Sequence, residues 1–314
     1  MDKKYDLICI GMAITDSIIR GFNPEPVSVT GFVAESGTLN VGGDAVNEVT
    51  AAAKLGLRTA ILCSLGTDPT GDIIAGFLRD TGVDTSLIIR SAEHPTPITT
   101  IFVSSDGNRK SITNSAHKYN FHPERYSSCF SDTRAIILGS LFRAPFNDPD
   151  VINAVLTEAK ANGVLVFADT KLPNFRRLSL DDIADSLCMI DYITPNEDEA
   201  RFYTGKTDPE EMADVFLCYG IGNVIIKLGG KGAFFKNHEG SIYLPAHEID
   251  VIDATGAGDN FIAGFVSEKL KGSSDKDALI FANACGALCT THIGAGAALT
   301  GRSQVLEFLA ANQK

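Results

Sequence analysis

Asp253-Ala254-Thr255-Gly256-Ala257-Gly258-Asp259 runs straight into an amphipathic stretch ending at Lys271, and the reading of this heptad governs the rest of the chain. Three small residues open a helix there, so bare amides and the positive end of the helix dipole face outward, a geometry that holds a phosphate. A carboxylate stands beside them. Asp259 would repel an anion unless the site needs a base, and a base next to a phosphate cradle points to activation of a hydroxyl for phosphoryl transfer. A glycine-rich turn before a core helix explains the same letters, so the remaining sequence has to decide.

Short β-rich runs alternate with helical patterns almost throughout, as in a parallel sheet covered by helices on both faces. Strands are expected at 6–10, 59–64, 135–138, 164–168, 192–194 and 224–228, and helices at 45–55, 73–81, 150–162, 257–271, 276–290 and 303–311. Two stretches break the rhythm. Residues 14–41 carry Pro24, Pro26 and alternating Val27, Val29 and Phe32, while 98–103 and 110–113 flank Ser104-Ser105-Asp106-Gly107-Asn108, a hairpin signal. Together they are expected to form a small antiparallel sheet that covers a ligand crevice as a lid, or else to extend an edge of the main sheet.

With 44% hydrophobic and 21% charged residues in 314, the chain can bury a substantial core. A formal charge of −12 leaves no overall basic face for a nucleic-acid backbone, which favours a small substrate. Met1 to Tyr5 lead directly into an apolar strand without a signal-peptide core, and no apolar run nears the roughly 20 residues of a membrane span, so a cytoplasmic protein without membrane contact is expected. Seven scattered cysteines, an odd number mostly within apolar segments, read as small buried hydrophobes in a reducing compartment. Cys285 and Cys289 lie one turn apart, but no second pair has zinc spacing.

Gly42-Gly43-Asp44-Ala45-Val46-Asn47, Pro195-Asn196-Glu197-Asp198-Glu199 and the heptad, in this order, resemble the ribokinase-like (PfkB) carbohydrate kinase family over essentially the whole chain. The Gly-Gly-Asp-Ala-x-Asn-Glu form and Ala168-Asp169 are most similar to its YdjH-like branch. The resemblance implies one doubly wound α/β kinase domain over 1–314, with helices on both faces of a mainly parallel sheet and a β lid from about 14–41 and 98–113. It also implies ATP- and Mg²⁺-dependent phosphorylation of a sugar hydroxyl, by a homodimer paired through the lid.

Under that resemblance Asp259 is the catalytic base, and the amides of Gly256, Ala257 and Gly258 form the anion hole. Asp16 accepts sugar hydroxyls, Gly42 and Gly43 let the chain pass under the sugar, and Asn47 offers both a donor and an acceptor. Read alone, Asp16 is a cap or turn residue and Asp44 an N-cap. Asn196 and Glu199 match the element that positions Mg²⁺ through water; alone they spell a capping box. Lys227, Gly229 and Gly232 resemble the nucleotide-binding loop, with Lys231 in its turn and Asn283 near the adenine. Asp253, Thr255 and Gly294 match a monovalent-cation site, but Ala298 stands where a serine hydroxyl is common, so weak K⁺ activation at most is expected. Arg109 and Lys171 offer positive groups to an acidic substrate, unless they are simply solvated or Lys171 pairs with Asp169.

A nucleoside kinase, with Phe22, Phe32 and Phe102 around a base, is the competing enzyme, and a non-catalytic sugar sensor the competing class. The sensor has no need of Asp259. Thr204-Gly205-Lys206-Thr207 imitates the end of a P-loop, but its earlier glycine would fall at Ala200. No G-x-G-x-x-G follows the first strand, and the six histidines, including His117 and His122 near the expected lid, suit ordinary surface or packing roles.

Overall fold

The computed structural model describes residues 3–21, 33–104, 109–114, 121–174, 176–296 and 298–312. Phe22, Phe32, His117, the side chain of Arg109 and most of the expected hairpin turn lie outside this set.

In chain order the elements are β1 (Tyr5–Ile10), β2 (Ile14–Arg20), β3 (Ser36–Gly42), α1 (Asp44–Lys54), β4 (Thr59–Leu62), β5 (Ser64–Gly66), α2 (Pro69–Asp80), β6 (Ile89–Ser91), β7 (Ile98–Val103) and β8 (Arg109–Thr113). Then follow β9 (Thr133–Leu141), α3 (Pro149–Ala161), β10 (Leu165–Thr170), α4 (Ala184–Leu187), β11 (Tyr192–Ile193), α5 (Glu197–Thr204), α6 (Pro209–Cys218) and β12 (Asn223–Lys227). A hairpin of β13 (Ala233–Asn237) and β14 (Gly240–Leu244) leads to α7 (Ala257–Leu270), α8 (Asp275–Cys289) and α9 (Arg302–Ala311).

The main sheet runs β14-β13-β12-β11-β10-β9-β1-β4, parallel from β12 to β4. Its strands are apolar on both sides because each faces a different core. Leu7 and Cys9 of β1 join one cluster with Ile61, Ile137, Phe265 and Ala282, whereas Ile8 and Ile10 join the other with Leu138, Ile152, Phe216 and Ile226. Helix α7 is buried nearly all round, against α8 and the sheet. That placement fixes the heptad rigidly at its N-terminus.

A second sheet, β3-β2-β7-β8, is built from the two segments expected to form the lid, although β2 and β7 pair in parallel rather than antiparallel. The chain between them travels through α1 and α2, long enough for a crossover that returns in the same direction. The expected strand at 59–64 is divided: β4 stays in the main sheet, and β5 pairs with β6 in a separate two-stranded sheet. The hairpin of β13 and β14 turns that edge antiparallel. Gly205 in the P-loop imitation is the left-handed C-cap of α5. Cys188 and Cys218 are exposed rather than buried; Cys9, Cys63, Cys285 and Cys289 are buried as expected. Among the described residues no helix is long and apolar enough to cross a membrane.

Candidate active site

Gly256 caps α7 in the left-handed conformation at φ 79°, and a methyl group there would collide with Ala295. Only glycine meets both demands. Asn260 donates to the carbonyls of Gly256 and Ala295 at 2.9 and 2.8 Å, tying the helix start to the 294–296 loop. One turn in, Asp259 is 5% exposed and accepts a hydrogen bond from Asn47 Nδ2 at 2.7 Å. Burial and the neighbouring Asp44 carboxylate push its carboxyl up to about 7, while Lys171 opposes them. A base near neutrality suits proton abstraction from a hydroxyl.

Asn47, expected to meet the substrate, thus spends a donor on the base. It shares one helix face with Asp44 and Glu48, at i−3 and i+1, as the α-helical period dictates. Asp44 is not the N-cap: Gly43 is, and the Asp44 carboxylate instead accepts from the Ser140 hydroxyl and lies 3.5 Å from Lys171 Nζ. Gly42 passes so near Asp16 that a methyl group would sit 2.8 Å from Oδ2, and burial raises the Asp16 carboxyl. Gly43, at φ 103°, faces the Met12 carbonyl.

Across the site Lys227 Nζ donates to Asp169 Oδ1 at 2.5 Å, and Thr194 donates to the same oxygen at 2.8 Å. The ammonium also packs against the anion-hole backbone, 3.1 Å from where a methyl on Gly258 would stand. Burial works against its charge, but Asp169 and Glu199 outweigh burial and keep it protonated. Lys227, expected in a nucleotide-binding loop, directs its side chain inward, toward the glycine-rich start of α7. Lys171 is likewise held charged against burial by Asp44, Asp169, Asp259 and Glu199.

Glu199 and Asn196 do form the capping box, each bond 2.9 Å, yet Glu199 Oε2 also accepts from Thr170 at 2.8 Å. The capping-box reading of that pair is met in this geometry. Burial and Asp169 raise the Glu199 carboxyl, a crowding of oxygen anions that fits Mg²⁺ held through water. Gly229 and Gly232 flank a tight turn at φ 58° and 107°, and a methyl on Gly232 would strike the Leu244 carbonyl. Lys231 pairs with Glu197 at 3.2 Å. Asn283 donates to the Pro245 carbonyl at 2.8 Å, so it braces the chain after β14. Asp253 accepts from Thr255 N and Oγ1 and, through Oδ2, from Gly294 N at 3.1 Å, which joins the three residues of the expected cation site.

Sequence reasoning gave Glu48 no role, and named Asp169 as part of a resemblance and as a partner for Lys171 but not as a site residue. Glu48 is fully buried, and burial with Asp169 and Asp259 lifts its carboxyl well above the usual range. The signal was present: Asp44, Asn47 and Glu48 form a polar stripe on a helix whose neighbours Ala45, Val49 and Ala52 are core.

A buried carboxylate at a glycine-rich helix N-terminus, in a doubly wound sheet with a second small sheet, is an arrangement that suits phosphoryl transfer. Residues 5–301 match the family described as pfkB family carbohydrate kinase. The chain belongs to that family; the match assigns no branch within it. It is 30% identical to a ribokinase from Haemophilus influenzae, over 85% of this chain and 87% of that one. It is also 30% identical to a 2-dehydro-3-deoxygluconokinase from Bacillus subtilis, over 87% of each. An Arabidopsis thaliana ribokinase complexed with ribose and ATP superposes with a TM-score of 0.83 at 25% identity, over 98% of this chain and 99% of that one. A likeness in fold extends to an Escherichia coli protein solved with ATP and Mg²⁺, at TM-score 0.78 and 24% identity, over 99% and 100% of the two chains.

Proposed function

We propose that the chain acts in the cytoplasm as one kinase domain and transfers the γ-phosphoryl group of ATP to a sugar hydroxyl, with the four-stranded sheet as its lid. The observation that carries this reading is Asp259, buried and oriented by Asn47 beside Gly256 and Gly258. In the step, Asp259 takes the hydroxyl proton as the oxygen attacks phosphorus; the new O–P bond forms while the bond to the β-phosphate oxygen breaks, and ADP leaves. The amides at the start of α7 and the Lys227 ammonium meet the charge spread over the equatorial oxygens, already in place before the reaction. Glu199 would hold Mg²⁺ through water, and the ion would there neutralise the charge of the phosphates. Asp16, Gly42 and Gly43 receive the sugar. The two relatives at 30% identity, a ribokinase and a 2-dehydro-3-deoxygluconokinase, support a sugar acceptor over a nucleoside. A screen of hexoses, pentoses, aldonates, uronates and nucleosides for acceptor-dependent ADP release tests it; a protein inert toward all of them would sink the enzyme reading in favour of a sensor.

Lys171 serves the base rather than a substrate carboxylate, because its charge is taken up by Asp44 and the carboxylates around it. Lys171→Met is expected to slow turnover at least tenfold by analogy with lost acid–base partners. The ranking of neutral against acidic sugars should stay as it was, and competition kinetics that reversed it would return Lys171 to the substrate.

The lid sheet ends in β3 and β8, where Leu39 and Ile112 are 57% and 67% exposed. Such an apolar edge is normally covered. A homodimer through this sheet is expected by light scattering, and Leu39→Lys with Ile112→Lys should shift it to monomer; an unchanged mass would place the contact elsewhere. With Ala298 contributing no hydroxyl, K⁺ is expected to raise turnover only weakly over a choline control of equal ionic strength, and a several-fold rise would show that the lost hydroxyl does not matter.

A further inference from the structure

Among the described residues five mutually interacting carboxylates, Asp44, Glu48, Asp169, Glu199 and Asp259, face two ammonium groups, Lys171 and Lys227. The site must nevertheless receive the phosphates of a nucleotide. Four of the five carboxylates are neutralised or bonded: Asp44 by Lys171 and Ser140, Asp169 by Lys227 and Thr194, Glu199 by Thr170 and Asn196, Asp259 by Asn47. Glu48 is not. It is 0% exposed, and neither of its oxygens has a hydrogen-bond partner. A buried carboxylate without a partner is costly enough that native proteins rarely keep one without a ligand or a proton.

Glu48 is also held where it is. Its Oε2 would be 3.1 Å from a methyl on Gly139, a glycine that lets α1 lie close on β9. One ligand atom from each of Glu48, Asp169 and Asp259 lies within 4.8 Å of the other two. Around a small divalent ion with oxygen ligands at about 2.1 Å, adjacent ligands stand roughly 3 Å apart and opposite ones about 4.2 Å. Closing the trio onto such an ion takes shifts of less than about 1 Å, within the reach of side-chain torsions.

We propose that Glu48, Asp169 and Asp259 bind a divalent cation directly, at a site separate from the water-mediated Mg²⁺ position at Glu199 and formed without nucleotide. Asp169 offers Oδ2, since Oδ1 serves Lys227 and Thr194. A directly bound divalent ion lowers the basicity of Asp259, so the carboxylate acts as the base only after the ion has passed to the phosphates of the incoming nucleotide. The bound ion removes most of the excess negative charge before a nucleotide arrives.

The test needs no turnover, so it stands apart from the proposed reaction. Full-length protein stripped with EDTA is titrated with Mn²⁺, without ATP or sugar, and free Mn²⁺ is followed by electron paramagnetic resonance. Wild type is expected to bind one Mn²⁺ that Mg²⁺ displaces. Glu48→Gln, which keeps the shape and removes the anion, should weaken binding at least about tenfold, the lower range seen even for outer partners of metal ligands. Glu199→Gln should leave this nucleotide-free site intact. If Glu48→Gln fails to fold, the wild-type and Glu199→Gln titrations decide: one displaceable ion in both supports the site. Absence of a bound ion in wild type, loss of it in Glu199→Gln, or equal affinity in Glu48→Gln overturns the proposal, the last outcome meaning that Glu48 carries a proton instead.

Discussion

Asp259→Asn is expected to lower kcat by about 10²–10⁴, the usual contribution of a general base. Asparagine keeps the acceptor for Asn47 and the shape of the helix start, so ATP affinity should change little. Steady-state turnover above about a third of wild type, a loss well short of that range, would remove Asp259 from the proton transfer. The same substitution has a second signature. Because the folded-state carboxyl titrates at about 7, above its unfolded value near 4, the buried charge destabilises the native state as pH rises through that window. The penalty is complete above about pH 7 and absent below about pH 4. Asp259→Asn is therefore expected to melt higher than wild type at pH 8, by an amount on the order of a few kcal/mol, with the difference fading by pH 5. Melts are run in EDTA, so that no cation stabilises the wild-type charge; a variant less stable at both pH values would contradict the assignment.

The second large effect is expected at Gly43→Ala. Its φ of 103° is already costly for an L side chain, and the new methyl would stand 2.4 Å from the Met12 carbonyl oxygen. Both groups are backbone, so neither can rotate away. Roughly 1–3 kcal/mol for the dihedral and a similar amount for overpacking is a large part of a typical stability of about 5–15 kcal/mol. The melting temperature should fall by on the order of 10 °C. Gly272→Ala is the control, with φ 87° and open space around the glycine. If the two variants melt within about 2 °C of each other, a shift worth less than about 1 kcal/mol, the clash has no bearing on the loss.

The architecture was largely readable because its strongest determinants are local. Double-sided apolar strands, glycine stops and the 3.6-residue period carry β1, β9, β10, α1, α3, α7 and α8 on their own. The β13 and β14 hairpin and the break between β4 and β5 were not, since pairing depends on what the rest of the chain places at that edge. Asp259 stands out in the heptad because the carboxylate and the glycine-rich helix start lie within four residues of each other. Lys227, Asp169 and Glu48 are scattered over α1, β10 and β12, and only folding brings them together. Their meaning is a matter of net charge in a shared volume, which no spacing encodes. Asn47 shows the limit from the other side: the residue was found, but whether its amide faces the sugar or the base is decided by how α1 packs against α7.

Asp16 belongs to the four-stranded sheet, whereas Asp259 belongs to a helix locked into the main core. On the proposed function, choosing a substrate and reacting with it rest on different elements of the chain. A lineage can then exchange residues of β2, β3, β7 and β8 and acquire a different acceptor without disturbing the buried carboxylates and lysines that set the rate. Substrate preference in this scaffold is evolutionarily cheap, and its chemistry is not.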